Sequence, residues 1–500
     1  MQPKRTNRVL RNIAALLVGQ VTTTLLSLVV IVYIPRHIGP AAIGDLGIAG
    51  ILTTLLASLL ALGMSTLLIR DIARDHRKAP ELIGAAMVIR MAMALPSLLI
   101  IGVVAWVVHY TPQAQILIAI SAVGMVIGML SGPIQAGFQA FEFMKYNSLT
   151  AVISEVIVVA ASVAVVAAGG GVVMLSLVSL AAVIVELFLG VWWWRKLAPV
   201  HLNFNPKLIR YLLVGGLPFW ATSLFLTIYL YVDSFMLSVM TNDSVVGWYS
   251  VPTKIFGFML FVPTTLGTAL FPALARLYKH SPREMVKMAQ RSFNLITCFS
   301  LPIAVGGMLL AKQIVLTLYG LAFGPSIPVF IVLSAMTVPT YLNILVNQLL
   351  VATERQLAWT KVMAGACIVN PLLNFFLIGF YQRVHQNGAF GAAWALFLTE
   401  GVMAVIGIVL LPRGILGWTN IKSMGKSIAA AGLMALGVWY TRDYFLAVPI
   451  ITGGAIYFAA VVLLGVLPRE EYKTLQAIGI KVLRKVGIQR SLSRADAKAA

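Results

Sequence analysis

Six ionisable side chains stand inside long apolar runs: Arg90, Glu155, Glu186, Asp233, Lys254 and Glu400. A charge in such a run is expensive, so by default it marks a ligand or ion path, or a pair that cancels it. Two of the six are cations, which in a hydrated cavity would hold an anionic group such as a phosphate. The four acids would tune those cations, or carry protons or Na⁺. The competing reading is structural pairing, Arg90 with Glu155 or Glu186 and Lys254 with Asp233. No catalytic constellation or metal set is found. The six histidines are scattered, mostly in loops. Cys298 and Cys367 read as small apolar residues. Asn420 to Ser427 imitates a phosphate-binding loop but lacks its first glycine and its preceding strand. No cofactor is expected, and the protein is not read as an enzyme.

The background that makes these charges conspicuous also sets the fold class. Of 500 residues, 60% are hydrophobic and 11% charged, with a mean hydropathy of +0.93. A soluble globule is nearer half apolar and a quarter charged. The expected fold is an all-α polytopic membrane protein. Fourteen runs approach the roughly 20 apolar residues a spanning helix needs: 12–35, 43–69, 82–108, 114–140, 148–168, 172–194, 208–239, 245–275, 290–311, 326–350, 358–380, 389–411, 425–446 and 448–467. The first is too long for the core of a signal peptide and is read as a span.

Lys and Arg bias sets the orientation. With the N-terminus in the cytoplasm, 31 of the 37 fall on that side, four fall opposite, and Arg90 and Lys254 lie within spans. Both termini are therefore placed in the cytoplasm. The net charge of +21 meets anionic lipids of the inner leaflet, and no nucleic acid is needed to explain it. In the tail, 468–500, Leu475, Ile478, Val482 and Val486 share a helical face flanked by lysines and Arg484, which fits a basic helix lying on that leaflet. Trp192 to Trp194 read as an interfacial aromatic anchor.

Spans 7–12 echo spans 1–6 at an offset of about 202–212 residues. Gly44 matches Gly247, Leu95-Pro96 matches Leu301-Pro302, Pro133 matches Pro339, and Ala140 and Glu142 match Ala352 and Glu354. An offset of six spans makes the repeats parallel, related by a pseudo-two-fold along the membrane normal. The expected organisation is an N-terminal lobe at 1–196 and a C-terminal lobe at 197–412, each of six helices. Two appended spans follow at 413–467, then the tail. Eight prolines inside spans, from Pro96 to Pro371, predict kinked helices suited to movement.

Arg36 to Gly44, Leu68 to Arg74, and Asp233-Ser234 through Val246-Gly247-Trp248-Tyr249-Ser250 to Lys254 resemble motifs of the oligosaccharide flippases. These belong to the multidrug/oligosaccharidyl-lipid/polysaccharide (MOP) flippase superfamily. The resemblance covers nearly the whole chain. It implies alternating access through a central cationic cavity, carrying a polyprenyl-pyrophosphate-linked oligosaccharide from the inner to the outer leaflet of a prokaryotic cytoplasmic membrane. A polysaccharide polymerase and glycosyltransferases would act beside it. The alternative within the superfamily is a cation-coupled drug/Na⁺ antiporter. The chain departs from lipid II flippases, which carry arginines in spans 1 and 2. It also lacks the span-1 acid of some antiporters.

Overall fold

A computed structural model describes residues 3–199, 201–412 and 414–466. Side chains are described from residue 19 onward, except at 221, 222 and 269. The tail assigned to the inner leaflet, 468–500, lies outside the described residues. Among the described residues every regular element is helical, apart from turns. The helices are α1 (Pro3–Leu59), α2 (Met64–Arg74), α3 (Ala79–Val108), α4 (Pro112–Ala140), α5 (Met144–Ala167), α6 (Val172–Trp194) and α7 (Pro206–Met240). Then follow α8 (Asp243–Met259), α9 (Phe261–His280), α10 (Pro282–Tyr319), α11 (Ser326–Ala352), α12 (Gln356–His385), α13 (Gly388–Leu410), α14 (Trp418–Thr441) and α15 (Ala447–Leu463).

Eleven helical stretches among the described residues are long and apolar enough to cross a bilayer. The first, Gly19–Leu60, is 42 residues long. At 1.5 Å per residue that is about 63 Å, twice the roughly 30 Å of hydrocarbon. Gly39, at φ 82° and ψ 173°, breaks α1 into two arms. The helices run on through Pro96, Pro133, Pro218, Pro302, Pro339 and Pro371. The interruptions fall elsewhere, at Gly39, at 60–63 and at Leu260.

The chain forms two compact units. The first holds the chain up to Ile255 together with Ile314–Val332 and Met363–Thr399. The second holds Phe256–Gln313, Leu333–Val362 and the chain from Glu400. In the second unit α14 and α15 pack through small residues: a Cβ on Gly453 would lie 2.6 Å from Val438 Cγ2.

In the first unit α2 shows how a polar helix is held. Met64, Leu67, Leu68 and Ile72 recur at helical spacing and are buried with Leu82, Ile83 and Ala86 of α3 and Ile134 and Phe138 of α4. Burying each large side chain is worth roughly 1.5–3 kcal/mol against exposure to water. Trp194 closes this core and is fully buried, edge-on to Phe138 and Phe141. The anchor reading therefore fails for Trp194, because Gly137 leaves a slot for its ring: a Cβ there would lie 2.6 Å from it. Trp192 remains exposed, with Lys196 Nζ 4.2 Å from its ring centre.

On the outer face of α2, Asp71 accepts from Arg70 Nε at 2.8 Å and from the Tyr211 hydroxyl at 2.6 Å. Burial pushes the Asp71 carboxyl up, but these two hydrogen bonds outweigh it and hold it below its ordinary value. A carboxylate depressed in the fold adds stability above its unfolded pKa and loses it as pH falls through the folded one. Tyr211→Phe is expected to cost about 1–2 kcal/mol at pH 7. That cost should shrink as pH falls through the folded-state pKa of Asp71, which lies below the ordinary carboxylate value. Thermal unfolding across pH checks this, and a pH-independent loss would show that packing carries the effect.

Two local features bear on the repeat. A Cβ on Gly44 would lie 1.7 Å from the Asp243 carbonyl oxygen, and one on Gly247 would lie 2.0 Å from that of Pro40. Each glycine meets the residue four before the other, a self-complementary contact. The turns closing α4 and α11 also match. Glu142 and Glu354 adopt left-handed φ of 57° and 61°. Phe143 N donates to Phe138 O at 2.8 Å, and Arg355 N donates to Leu350 O at 2.7 Å.

Candidate functional site

The interruption at 60–63 lies between two helices in the middle of an apolar sequence. Leu62 and Gly63 take left-handed φ of 51° and 62°, so the last carbonyls of α1 lose their helical donors. In a membrane those oxygens must be satisfied by protein. Trp220 Nε1 of α7 donates to Leu59 O at 2.7 Å. Arg90 of α3 donates from Nη1 to Leu60 O and from Nη2 to Ala61 O, both at 3.0 Å. A guanidinium at a helix C-terminus also meets the negative end of the helix dipole.

Arg90 is 5% exposed, and its Nε has no hydrogen-bond partner. The pairings weighed from sequence are not the contacts seen. Glu155 accepts from Ser27 Oγ at 2.8 Å and Glu186 from Gln135 Nε2 at 2.6 Å. Arg90 and Glu186 do line one open cavity, of about 480 Å³, formed by α1, α3, α4 and α6 of the first unit.

A second, milder interruption falls at Leu260, between α8 and α9, close to where the repeat offset places the counterpart of Leu60. The Tyr341 hydroxyl of α11 donates to the Met259 carbonyl freed there. Lys254 lies five residues before this break, about 16 Å along α8 from its start. Its side chain is exposed. Among the described residues it makes no hydrogen bond or ion pair.

Asp233 of α7 is 2% exposed. Its Oδ1 accepts from Asn374 Nδ2 of α12, and its Oδ2 lies 3.5 Å from the Tyr249 hydroxyl of α8. The same Asn374 amide faces Asn370 O at 3.1 Å and Asn370 Oδ1 at 2.9 Å, and Asn370 reaches Thr399 Oγ1 of α13 at 3.5 Å. Two amide protons meet three oxygens, and Asn374 Oδ1 has no partner. The result is an oxygen-rich, electronegative cluster inside the first unit. In the second unit, buried Glu400 accepts from Asn343 Nδ2 at 2.7 Å through Oε2 and at 2.9 Å through its backbone oxygen.

Tyr249, Asn370, Asn374 and Thr399 were missed in the sequence because they are neutral. The available signal was Asn370 and Asn374, an i, i+4 pair on one face of an apolar helix.

Long apolar helices, paired interruptions and buried polar clusters together define a multi-pass membrane protein of transporter architecture. The family model described as polysaccharide biosynthesis protein matches residues 9–278. That is more than half of the chain, and the protein belongs to this family. A curated relative, the probable flippase AglR of Haloferax volcanii, is 24% identical over 229 residues, covering 45% of this chain and 47% of that protein. The chain thus spans about half the length of the curated relative it matches.

Among solved structures, the lipid II flippase MurJ in an inward closed conformation superposes with a TM-score of 0.70 at 14% identity, over 91% of this chain and 98% of that one. An inward-facing MATE multidrug resistance transporter of the MOP superfamily gives 0.61 at 14% identity, over 81% and 96%. At these identities the likeness shows the fold, and the all-α class read from hydropathy is the class found.

Proposed function

We propose that the protein is a flippase that carries a polyprenyl-pyrophosphate-linked oligosaccharide from the cytoplasmic to the outer leaflet for cell-surface polysaccharide synthesis. The family match and the curated flippase relative support the class. The observation that carries the mechanism is Lys254, an exposed ammonium without a partner among the described residues, in an apolar helix and a few residues before its interruption. Such a group needs water or an anion, and a pyrophosphate supplies the anion while its lipid tail stays in the bilayer. Arg90 is the second cation of this reading, although two of its donors serve the α1 carbonyls.

Further parts of the reading are that the chain crosses the membrane fourteen times, in lobes 1–196 and 197–412 with 413–467 appended. The two arms of α1 are separate passes, and both termini lie in the cytoplasm of a prokaryotic inner membrane. A polymerase and glycosyltransferases work beside it. Asp233 and Glu400, each held by asparagine amides, are the foremost candidates for ion coupling. Glu155 and Glu186 are the others.

The test is reconstitution. Proteoliposomes bearing a fluorescent polyprenyl-pyrophosphate oligosaccharide in one leaflet are expected to move it to the other well above protein-free vesicles. No acceleration would overturn the reading. The oxygen-rich cluster at Asp233 also fits a monovalent cation, as a cation-coupled drug/Na⁺ antiporter would need. Na⁺-driven dye efflux from the same vesicles, with no glycolipid movement, would establish that alternative.

A further inference from the structure

The cavity inside the first unit raises a question that the carried substrate does not answer. At about 480 Å³ it falls within the roughly 300–1,000 Å³ of small-molecule sites. Lys254 does not line it. Arg90 lines it from α3 and Glu186 from α6.

The two charges are not in contact, and each is left incomplete. Arg90 is 95% buried, has spent two donors on backbone carbonyls, and keeps an Nε–H with no acceptor. Its charge is met by no carboxylate within ion-pair distance among the described residues. Glu186 accepts one hydrogen bond, from Gln135 to Oε1. Its other oxygen has no donor among the described residues. Further along α6, about 15 Å from Glu186, Ser176 Oγ also lines the cavity and is buried with no partner among the described residues. Most of the remaining lining is apolar, Met125, Met129, Leu180 and Val183 among it.

An anion alone would satisfy Arg90 but face the Glu186 carboxylate. A cation alone would satisfy Glu186 but face the guanidinium. A ligand that carries both charges completes both ends, and its apolar part fits the walls.

We propose that this cavity binds an ammonium–phosphate zwitterion, the headgroup chemistry of an ethanolamine phospholipid. Arg90 takes the phosphate and Glu186 the ammonium. The site shares Arg90 with the cations proposed for the transported headgroup but does not include Lys254, and it does not depend on which glycan is moved.

The experiment uses the full chain in detergent micelles. Native mass spectrometry measures retention of dioleoyl phosphatidylethanolamine against dioleoyl phosphatidylglycerol, which has the phosphate but no ammonium. The ethanolamine lipid is expected to be retained about tenfold better. Glu186→Gln should erase that preference without lowering the melting temperature, because glutamine keeps the shape and loses the charge. Arg90→Lys should retain binding of the ethanolamine lipid, since the cation remains. Free phosphoethanolamine added in excess separates the sources. Competition means that the headgroup alone is recognised, and its failure while the lipid binds assigns the site to the lipid form. Equal retention of the two lipids by the wild type would overturn the proposal, and so would a preference unchanged in Glu186→Gln.

Discussion

Lys254→Gln is expected to leave the protein folded and to cut glycolipid transport about 10- to 150-fold. The magnitude follows from losing a charge-assisted hydrogen bond to phosphate, worth about 1.5–3 kcal/mol. Stability should hold because the ammonium has no partner to abandon among the described residues and its side chain is exposed. A lysine that neutralised Asp233 would behave otherwise. Its removal would strand a buried carboxylate at a cost of about 3–5 kcal/mol, and Asp233→Ala would then rescue the fold.

The geometry speaks against rescue. Asp233 takes its hydrogen bonds from Asn374 and Tyr249, so the double variant should transport no better than Lys254→Gln alone. Lys254→Arg should keep partial activity, since it retains the charge with a different reach and donor geometry. The measurement is the leaflet-transfer rate in proteoliposomes, normalised to folded protein and read beside the melting temperature. Full transport by a well-folded Lys254→Gln variant would remove this residue from the substrate path.

What the sequence made legible was charge against an apolar background. That contrast located Arg90, Lys254 and the four acids, since each breaks a run whose composition otherwise fixes a helix. What stayed hidden was whom each charge meets. Arg90 was read against carboxylates, the partners that charge alone suggests. Its actual acceptors are main-chain oxygens, which exist as acceptors only because α1 stops at Leu59. Leu60-Ala61-Leu62-Gly63 announces that stop only through Gly63, while Pro96, Pro133, Pro218, Pro302, Pro339 and Pro371, read as kinks, sit inside helices that run on.

The Asp233 cluster was hidden for a different reason. Asn370, Asn374 and Thr399 carry no charge, and single neutral polar residues are common in membrane helices. Matched local geometry was legible at a few positions of the expected repeat, at Gly44 and Gly247 and at the two glutamates that follow α4 and α11. Those residues sit where backbone conformation or close approach is demanding, and such positions tolerate few side chains. The aromatic run was misread at Trp194 because composition cannot tell an interface from a slot opened by Gly137 on another helix.

Arg90 also sets the largest stability effect expected. Arg90→Met keeps the length and apolar stem of the side chain and removes the fork that holds α1 at its break. Leu60 O then has no donor in hydrocarbon, and Ala61 O keeps only the 3.4 Å approach of Met64 N. At about 1–3 kcal/mol for each unsatisfied group, the loss should be roughly 2–6 kcal/mol. Removing the buried charge itself returns part of that, because the guanidinium has no carboxylate to balance it; a loss near the lower bound is therefore expected. Trp220→Phe, which removes one donor from Leu59 O and no charge, should cost about 1–3 kcal/mol. If both side chains brace the same break, the two losses should not add. Once the α1 end has frayed in Arg90→Met, Leu59 O has other ways to be satisfied, and the double variant should fall short of the sum by about 0.5 kcal/mol or more. Chemical denaturation of the purified protein in micelles reads all three. Strict additivity, or an Arg90→Met variant as stable as the wild type, would show that the break stands without its clamp. The interruption at 60–63 would then be held by packing around Leu62 and Gly63 rather than by the hydrogen bonds that cross to α3 and α7.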